Sequence, residues 1–339
     1  MISMKDIALE CGVSVATVSK ALNGQQDIGE ETRQKIAETA ERLGYTANSA
    51  ARALKTNRTF NLGVLFLDPM HGGLAHEFFS TVLDAIRSEA ESNGYDITFI
   101  NRGIGNRETS YLQHCRYRGV DGVIIASADY ADPQIIELVN SEIPVVTIDH
   151  IFNGNISIIS DNTGGMENLT DYIISKGHKK IAFIHGEKTS VTVNRLSGFY
   201  RSCEKHGIKI PDEYVREGVF HDPKTCYSIT KEMLALKDRP TCIIFPDDYS
   251  SIGGINAIWE SGLRIPDDIS AAGYDGIPLS RIISPELTTW VQNTIELGRR
   301  SSARLIEQIQ KPKSVILDRE IVRGHIQEGG SVKDISQIG

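Results

Sequence analysis

Apolar residues recur at helical spacing over the first 45 positions, and the chain then changes register. Ile7, Ala8 and Cys11 fall on one face of a short helix over about Lys5 to Cys11. Gly12 supplies the permissive backbone at which that helix ends and the chain reverses. Ser14 is a favoured N-cap, so a second helix is expected from Val15 to Asn23, with Val18 and Leu22 as its inward positions. A third amphipathic helix over Glu30 to Leu43 would close a small core through Ile36, Ala40 and Leu43. Past Arg58 the pattern becomes strand-like apolar runs separated by helical stretches. The first series is Leu62–Leu67, Ile97–Ile100, Val123–Ala126 and Val145–Ile148, with helices around Phe78–Glu91, Thr109–Arg118 and Gln134–Asn140. The second is Ile156–Ile159, Ile181–Ile184, Val215–Phe220, Cys242–Phe245 and Ile269–Ala272. Alternating β and α elements predict parallel sheets covered on both faces, and two series predict two doubly wound lobes.

The two short helices have the geometry of a helix-turn-helix, whose second helix lies in the DNA major groove. Ser14, Val15, Ala16, Thr17, Ser19, Lys20 and Asn23 are small, hydroxyl-bearing, amide-bearing or basic, which suits close approach to base edges and phosphates. An ordinary pair of packed helices would show the same periodicity, so the segment after the third helix carries weight. Tyr45 to Lys55 is rich in Ala, carries Arg52 and Lys55 without an acid, and offers Leu54 as its single large apolar side chain. Such a segment is too short for stable helix in isolation. It reads either as a solvated linker or as a hinge, capped by Asn48, that becomes helical on DNA and drives Leu54 into a minor-groove step, with Asn48, Ala51 and Lys55 as further DNA-binding candidates.

Residues Asp6-Ile7-Ala8, Gly12 to Asn23, Glu31 to Ile36, Leu43-Gly44-Tyr45 and the stretch Asn48 to Leu54 occur in an order and spacing that resembles the lactose- and galactose-repressor family of bacterial transcription regulators. Two positions depart from that pattern. Ala47 stands where the family usually has proline, and Gly29 where it usually has a serine cap. The resemblance implies an α/β protein with an N-terminal helix-turn-helix DNA-binding domain and a two-lobed sensor domain, with parallel sheets, like periplasmic binding proteins. The expected divisions are 1–47 for the DNA-binding domain, 48–60 for the hinge and linker, and 61–339 for effector binding and dimerisation. Three crossings between lobes are expected near Ser160, Trp290 and Lys313. The first lobe would take about 61–160 and 291–312, including a helix over Glu296–Ile309. The second would take about 161–290 and 313–328, including Val315–Val322.

In doubly wound sheets ligands sit at the carboxyl ends of strands. Asp149, Asp161, Asp247, Asp248 and Asp275 follow expected strands, and Arg195 opens a helix after Ile181–His185. Carboxylates accept paired hydroxyls and Arg donates in a fixed fork, a combination suited to a polyol. The resemblance implies effector contacts at Arg195, Asp247 and Asp275; Asp149 is a further candidate. Asp161 and Asp248 fit helix N-caps as well. Among Phe78, Phe79, Phe152, Tyr249 and Trp290, the last falls at an expected crossing and is the aromatic ligand candidate, although aromatics more often fill cores.

Composition then narrows the class. The net charge is −8, yet residues 1–60 carry eight Lys/Arg against seven Asp/Glu, so the acidity lies in the remainder. DNA affinity should therefore rest on base contacts, dimerisation and hinge folding more than on bulk charge. Five scattered cysteines read as reduced packing residues, and the absence of a long apolar run or signal segment points to a cytoplasmic protein without a membrane partner. Gly103-Ile104-Gly105 lacks the third glycine of a dinucleotide fingerprint, nine histidines show no ligand spacing, and no P-loop or nucleophile elbow occurs, so neither cofactor, metal nor catalysis is expected. The expectation is a homodimeric repressor of carbohydrate-utilisation genes, binding a pseudo-palindromic operator in double-stranded DNA and tuned by a small sugar-like effector. A purine- or nucleoside-responsive repressor is the alternative. A sugar-binding or sugar-processing protein with a DNA-binding appendage is the competing class.

Overall fold

The computed structural model describes residues 2–22, 25, 27–45, 58–67 and 73–337. The chain forms two compact units, Met1–Thr59 and Phe60–Gly339. In the first unit, α1 (Met4–Cys11), α2 (Val15–Leu22) and α3 (Glu30–Arg42) enclose Ile7, Ala8, Cys11, Val18, Ala21, Ile36 and Ala40. The Asp6 carboxylate accepts hydrogen bonds from the Ser3 N–H and hydroxyl at the start of α1. Gly12 ends that helix at φ +70°, and Ser14 Oγ caps α2 by accepting the Thr17 N–H at 3.0 Å. One inward position differs from expectation. Leu22 is 37% exposed, and Ala21 fills the core instead: the stripe buried in the three-helix core is centred between Val18 and Ala21, which leaves Leu22, the last residue of α2, beyond its edge.

The second unit begins with β1 (Asn61–Phe66), α4 (Glu77–Ser92), β2 (Asp96–Phe99), a small hairpin of β3 (Gly103–Ile104) and β4 (Arg107–Glu108), α5 (Tyr111–Arg118), β5 (Gly122–Ser127), α6 (Pro133–Val139), β6 (Val145–Ile148) and β7 (Ile156–Ser160). It continues through α7 (Asn162–Ser175), β8 (Ile181–His185), α8 (Ser190–Lys205), β9 (Val215–Glu217), α9 (Pro223–Leu234), β10 (Cys242–Ile244), α10 (Asp248–Glu260), β11 (Ser270–Asp275), α11 (Leu279–Ile282) and β12 (Thr288–Val291). Last come α12 (Thr294–Gln310), β13 (Arg319–Val322) and β14 (His325–Gln327).

Two six-stranded sheets result, ordered β13-β7-β6-β5-β1-β2 and β14-β12-β11-β10-β8-β9, with every pairing parallel except β12 with β14. Each sheet is buried on both faces. In the first lobe α4 and α12 supply Val82, Ile86, Leu297 and Leu305 to one side, while α5 and α6 supply Leu112, Cys115, Ile135 and Leu138 to the other. In the second, α9 and α10 cover one face and α7 and α8 the other. This double covering explains why the strands read as continuous apolar runs.

The chain passes between lobes after Ser160, after Val291 and at Arg323–Gly324. The third passage corrects the one expected near Lys313. Val315–Val322 does not join the second lobe: β13 pairs in parallel with β7 over Arg319–Ser157 to Val322–Ser160. The alternating pattern of a short edge strand does not say which sheet it will extend. Burial settles it: Val322 is in the first-lobe core with Val315 packed against it, and Arg304 of α12 adds ion pairs to Asp318 at 2.9 Å and Glu320 at 2.8 Å.

Helices of the second lobe approach closely at glycines. A β-carbon at Gly253 in α10 would fall 1.7 Å from the Pro223 carbonyl oxygen of α9. Gly253→Ala is therefore expected to lower unfolding free energy by about 1–3 kcal/mol through overpacking. Urea denaturation checks this, and an unchanged midpoint would contradict the close approach.

Candidate functional site

In the first unit Ser14, Val15, Ala16 and Lys20 are exposed and Thr17 and Ser19 half-buried, so α2 presents all six toward solvent to some degree. Val15 is apolar and 41% exposed. Thr17 Oγ1 is tied to Ser14 Oγ at 2.8 Å. Lys20 pairs with Asp27, both largely exposed, where solvent screens the pair. Asn23, Asn48, Ala51, Leu54 and Lys55 lie outside the described residues.

In the second unit a cavity of about 600 Å³ opens at the carboxyl ends of both sheets. The first lobe contributes His76, Phe78 and Phe79 at the start of α4, Ser127–Ala131 after β5, and Asp149 and His150 after β6. The second lobe contributes Glu187–Val191 and Arg195 around the start of α8, Phe220 and His221 after β9, Asp247 after β10, Asp275 at the end of β11, and Gln292. The cavity thus brings together Asp149, Arg195, Asp247 and Asp275 from separate expected strand ends.

Arg195 is the centre of this wall. It is 4% exposed, donates through Nε to Asn162 Oδ1 at 2.9 Å and through Nη1 to the Pro246 carbonyl at 2.8 Å, and lies 3.6 Å from Asp275 Oδ1 through Nη2. Its guanidinium stacks 3.7 Å from the Tyr274 ring centroid. Asp275 Oδ1 also accepts from Gln292 Nε2 at 2.7 Å. Burial pushes the Asp275 carboxyl up to about 7, against the Arg195 charge that favours ionisation and with Asp247 and Asp149 opposing it. Burial also raises Asp149, whose carboxylate takes hydrogen bonds from the Ser160 N–H and hydroxyl.

Three non-glycine residues around the cavity have positive φ: Asp149 at 54°, His221 at 56° and Asp275 at 104°. Such conformations persist only where neighbours over-determine them. Asp247 does this for His221. Its Oδ2 accepts the His221 N–H at 2.8 Å, and Oδ1 accepts the Ser250 N–H at 2.6 Å. The cap of α10 is therefore Asp247, not Asp248 as the sequence suggested. Asp248, 1% exposed, instead accepts the Gly276 and Ile277 N–H groups and the Thr289 hydroxyl, pinning the turn beyond Asp275. Asp161 does cap its helix, accepting the Gly164 N–H at 2.9 Å.

Trp290 needs a further correction. It packs with Met166 and Tyr274 in the second-lobe core and does not line the cleft; Gln292, two residues on, does. A crossing strand leaves its sheet where its side chains stop being packed, and Trp290 is still within β12. Phe78 and Phe79 line the cavity, while Phe152 packs behind His150 and Tyr249 stacks on His221 at 4.0 Å. Sequence reasoning missed Tyr130, Phe220, His76, His150 and His221. Their signal was an aromatic or His just past a strand or at a helix start. His76 and His221 stack at 4.1 Å, and the Ser190 hydroxyl donates to the Asp149 carbonyl at 3.0 Å, so both contacts join the lobes.

Residues 3–48 match the family model of bacterial regulatory proteins of the lacI family, and residues 61–328 match that of periplasmic binding proteins and the sugar binding domain of the LacI family. The chain belongs to the LacI family. It is 32% identical over 331 residues to the HTH-type transcriptional repressor PurR of Pasteurella multocida (strain Pm70), covering 96% of each chain. It is 31% identical over 318 residues to a Bacillus subtilis (strain 168) protein named "Probable HTH-type transcriptional repressor ExuR", covering 93% of each. A lac repressor dimer bound to operator and the anti-inducer ONPF matches with TM-score 0.77 at 26% identity, over 98% of this chain and 99% of that one. A LacI family regulator from Enterococcus faecium with bound ribose matches with TM-score 0.69 at 26% identity, over 81% of this chain and 99% of that one. This LacI-family protein is a DNA-binding transcriptional repressor and not an enzyme.

The raised carboxyl of Asp275 fixes a sign for pH dependence. An unfolded Asp ionises near 3.9, so between about pH 4 and 7 the folded chain holds more protons than the unfolded one. Stability from this group is fully present below about pH 4 and lost as pH rises through about 7. Asp275→Asn is expected to gain stability relative to the parent between pH 5 and 7.5, measured by urea midpoints at both values. A constant offset across that range would contradict it.

Proposed function

We propose that this LacI-family repressor acts as a homodimer in the cytoplasm on a pseudo-palindromic operator of carbohydrate-utilisation genes, and that a neutral sugar-like effector in the interlobe cleft sets its operator affinity. The observation that carries the reading is the Arg195–Asp275–Gln292 hub beside Asp149 and Asp247. It offers carboxylate acceptors and guanidinium donors at fixed positions inside a cavity of about 600 Å³, an arrangement suited to several hydroxyls. Apolar rings at Phe79, Tyr130 and Phe220 suit the C–H faces of a pyranose. The ribose-bound E. faecium relative is in keeping with this class of ligand. The same rings, together with the PurR relatives, favour a purine or nucleoside as the second reading.

On this reading the ligand works through lobe closure. The lobes meet through Ser190–Asp149 and the His76–His221 stack, so a molecule spanning both walls changes their angle and thereby the spacing of the paired hinges.

A thermal-shift screen of sugars, bases and nucleosides, followed by operator titration with each hit, tests the effector class. Asp275→Ala and Arg195→Ala are expected to abolish the effector response while operator binding persists. Leu54→Ala is expected to weaken operator binding with effector affinity retained. An effector that still shifts operator affinity in both cleft variants places its site elsewhere.

Base reading is assigned to the start of α2. Val15 and Ala16 offer only apolar contacts, suited to thymine methyl groups. Substituting both is expected to change the preferred base at a few operator positions in a randomised-operator selection, by about 1–3 kcal/mol each. Equal weakening on all sequences would remove them from base reading.

A further inference from the structure

Away from the effector cleft, a second cavity of about 530 Å³ lies at the passages between lobes, lined by Asp161, Asn168, Trp290, Arg323, Gly324 and Ile326. Asp161 follows the first passage, Trp290 precedes the second, and Arg323 and Gly324 form the third. All three connections whose bending sets the lobe angle therefore border one groove.

The groove carries donors that no described residue uses. Trp290 is 6% exposed, yet its indole N–H has no hydrogen-bond partner among the described residues. Its nitrogen edge lies against the groove: a β-carbon at Gly324 would fall 2.7 Å from Nε1. That N–H reaches solvent in the groove, where a ligand acceptor would take the place of water. Arg323 is exposed, and its guanidinium has no ion pair with a described residue. The fourteen-residue α7 begins beside them, with the positive end of its dipole at the groove. Acceptors are present too. Asp161 spends Oδ1 on the Gly164 N–H, and Asn168 spends its amide N–H on the Gly164 carbonyl, leaving Asp161 Oδ2 and Asn168 Oδ1.

We propose that this groove is a second ligand site, one that takes a small hydroxylated oxyanion. Arg323 and the Trp290 N–H hold the anionic oxygens, and Asp161 and Asn168 accept the neighbouring hydroxyl. A ligand touching all three passages favours one lobe angle, so its occupancy changes operator affinity, and the cleft effector and this anion alter each other's affinity by the same factor. The site does not depend on which effector fills the cleft.

The test titrates the full-length protein with glycerol 3-phosphate and with glycerate, which present the same chemistry on a phosphate or a carboxylate, and with glycerol as the uncharged control. Saturable binding of at least one anion, absent with glycerol, is expected. Arg323→Gln, an exposed change that leaves the core intact, is expected to weaken it at least about tenfold. Trp290→Phe keeps the ring and removes the donor, and is expected to weaken it several-fold. Asp275→Asn in the cleft is expected to leave it unchanged. Operator titration with and without the anion is expected to differ in the parent and to coincide in Arg323→Gln. Failure of both anions to bind, or binding that Arg323→Gln leaves intact or Asp275→Asn abolishes, would overturn the site. Binding without any change in operator affinity would overturn its regulatory role.

Discussion

A guanidinium removed from water must be compensated, and much of the second lobe's binding wall is organised around doing that for Arg195. Removing such a charge from solvent costs several kcal/mol unless it is paired and hydrogen-bonded. Asp275, the Asn162 amide oxygen, the Pro246 carbonyl and the Tyr274 ring face meet the requirement together. These partners come from three different stretches: the start of α7, the end of β10 and the end of β11. Satisfying one side chain thus fixes three loop positions relative to one another. Asp275 can then hold its φ of 104° because Gln292 anchors its carboxylate and Asp248 anchors the next two backbone N–H groups.

The first lobe's wall is built differently. Among the described residues of its own lobe the Asp149 carboxylate is held by Ser160, and beside Ser127 and Asp129 that wall is largely apolar or aromatic, with His150 stacked on Tyr130 at 3.9 Å. One side of the cleft presents a rigid polar template and the other a set of ring faces. On the proposed reading, a ligand that orders its hydroxyls on the template and lays an apolar face on the rings would draw the lobes together, because it needs surfaces from both.

Much of this was legible in the chain because the relevant signals are local. Ser14, Asp161 and Gly12 announce helix ends by their own chemistry, and the alternation of apolar runs with amphipathic stretches dictates two sheets covered on both faces. The features that failed to show were non-local. The pattern of Arg319–Val322 fits either sheet, and its place beside β7 goes with burial of Val322 in the first-lobe core and ion pairs to a helix ending nine residues earlier. The tandem acids Asp247 and Asp248 are chemically identical. Which one caps α10 depends on the strand exit, which turns Asp248 under Gly276 and leaves Asp247 at the cavity. Trp290 stood at the right passage, but its direction is set by Met166 and Tyr274, which lie far from it in sequence or on another strand.

The strength of the contacts between lobes bears on how such a protein can respond at all. A hundredfold change in operator affinity corresponds to about 2.7 kcal/mol of differential binding. The lobe-bridging contacts at the cleft, one hydroxyl-to-carbonyl hydrogen bond and one ring stack, are each worth about 0.5–1.5 kcal/mol. Ile277 and Leu279 of the second lobe add apolar packing against the first-lobe cluster, so these two contacts are one part of the joint. Had the lobes been joined by a large apolar core, a ligand making a handful of hydrogen bonds could not reverse the preference. Had they been joined by nothing, no angle would be favoured for the ligand to change. On the proposed reading, the hub at Arg195 keeps the second lobe's half of the cleft fixed, so that ligand binding would act on the joint between lobes and not on the shape of that wall.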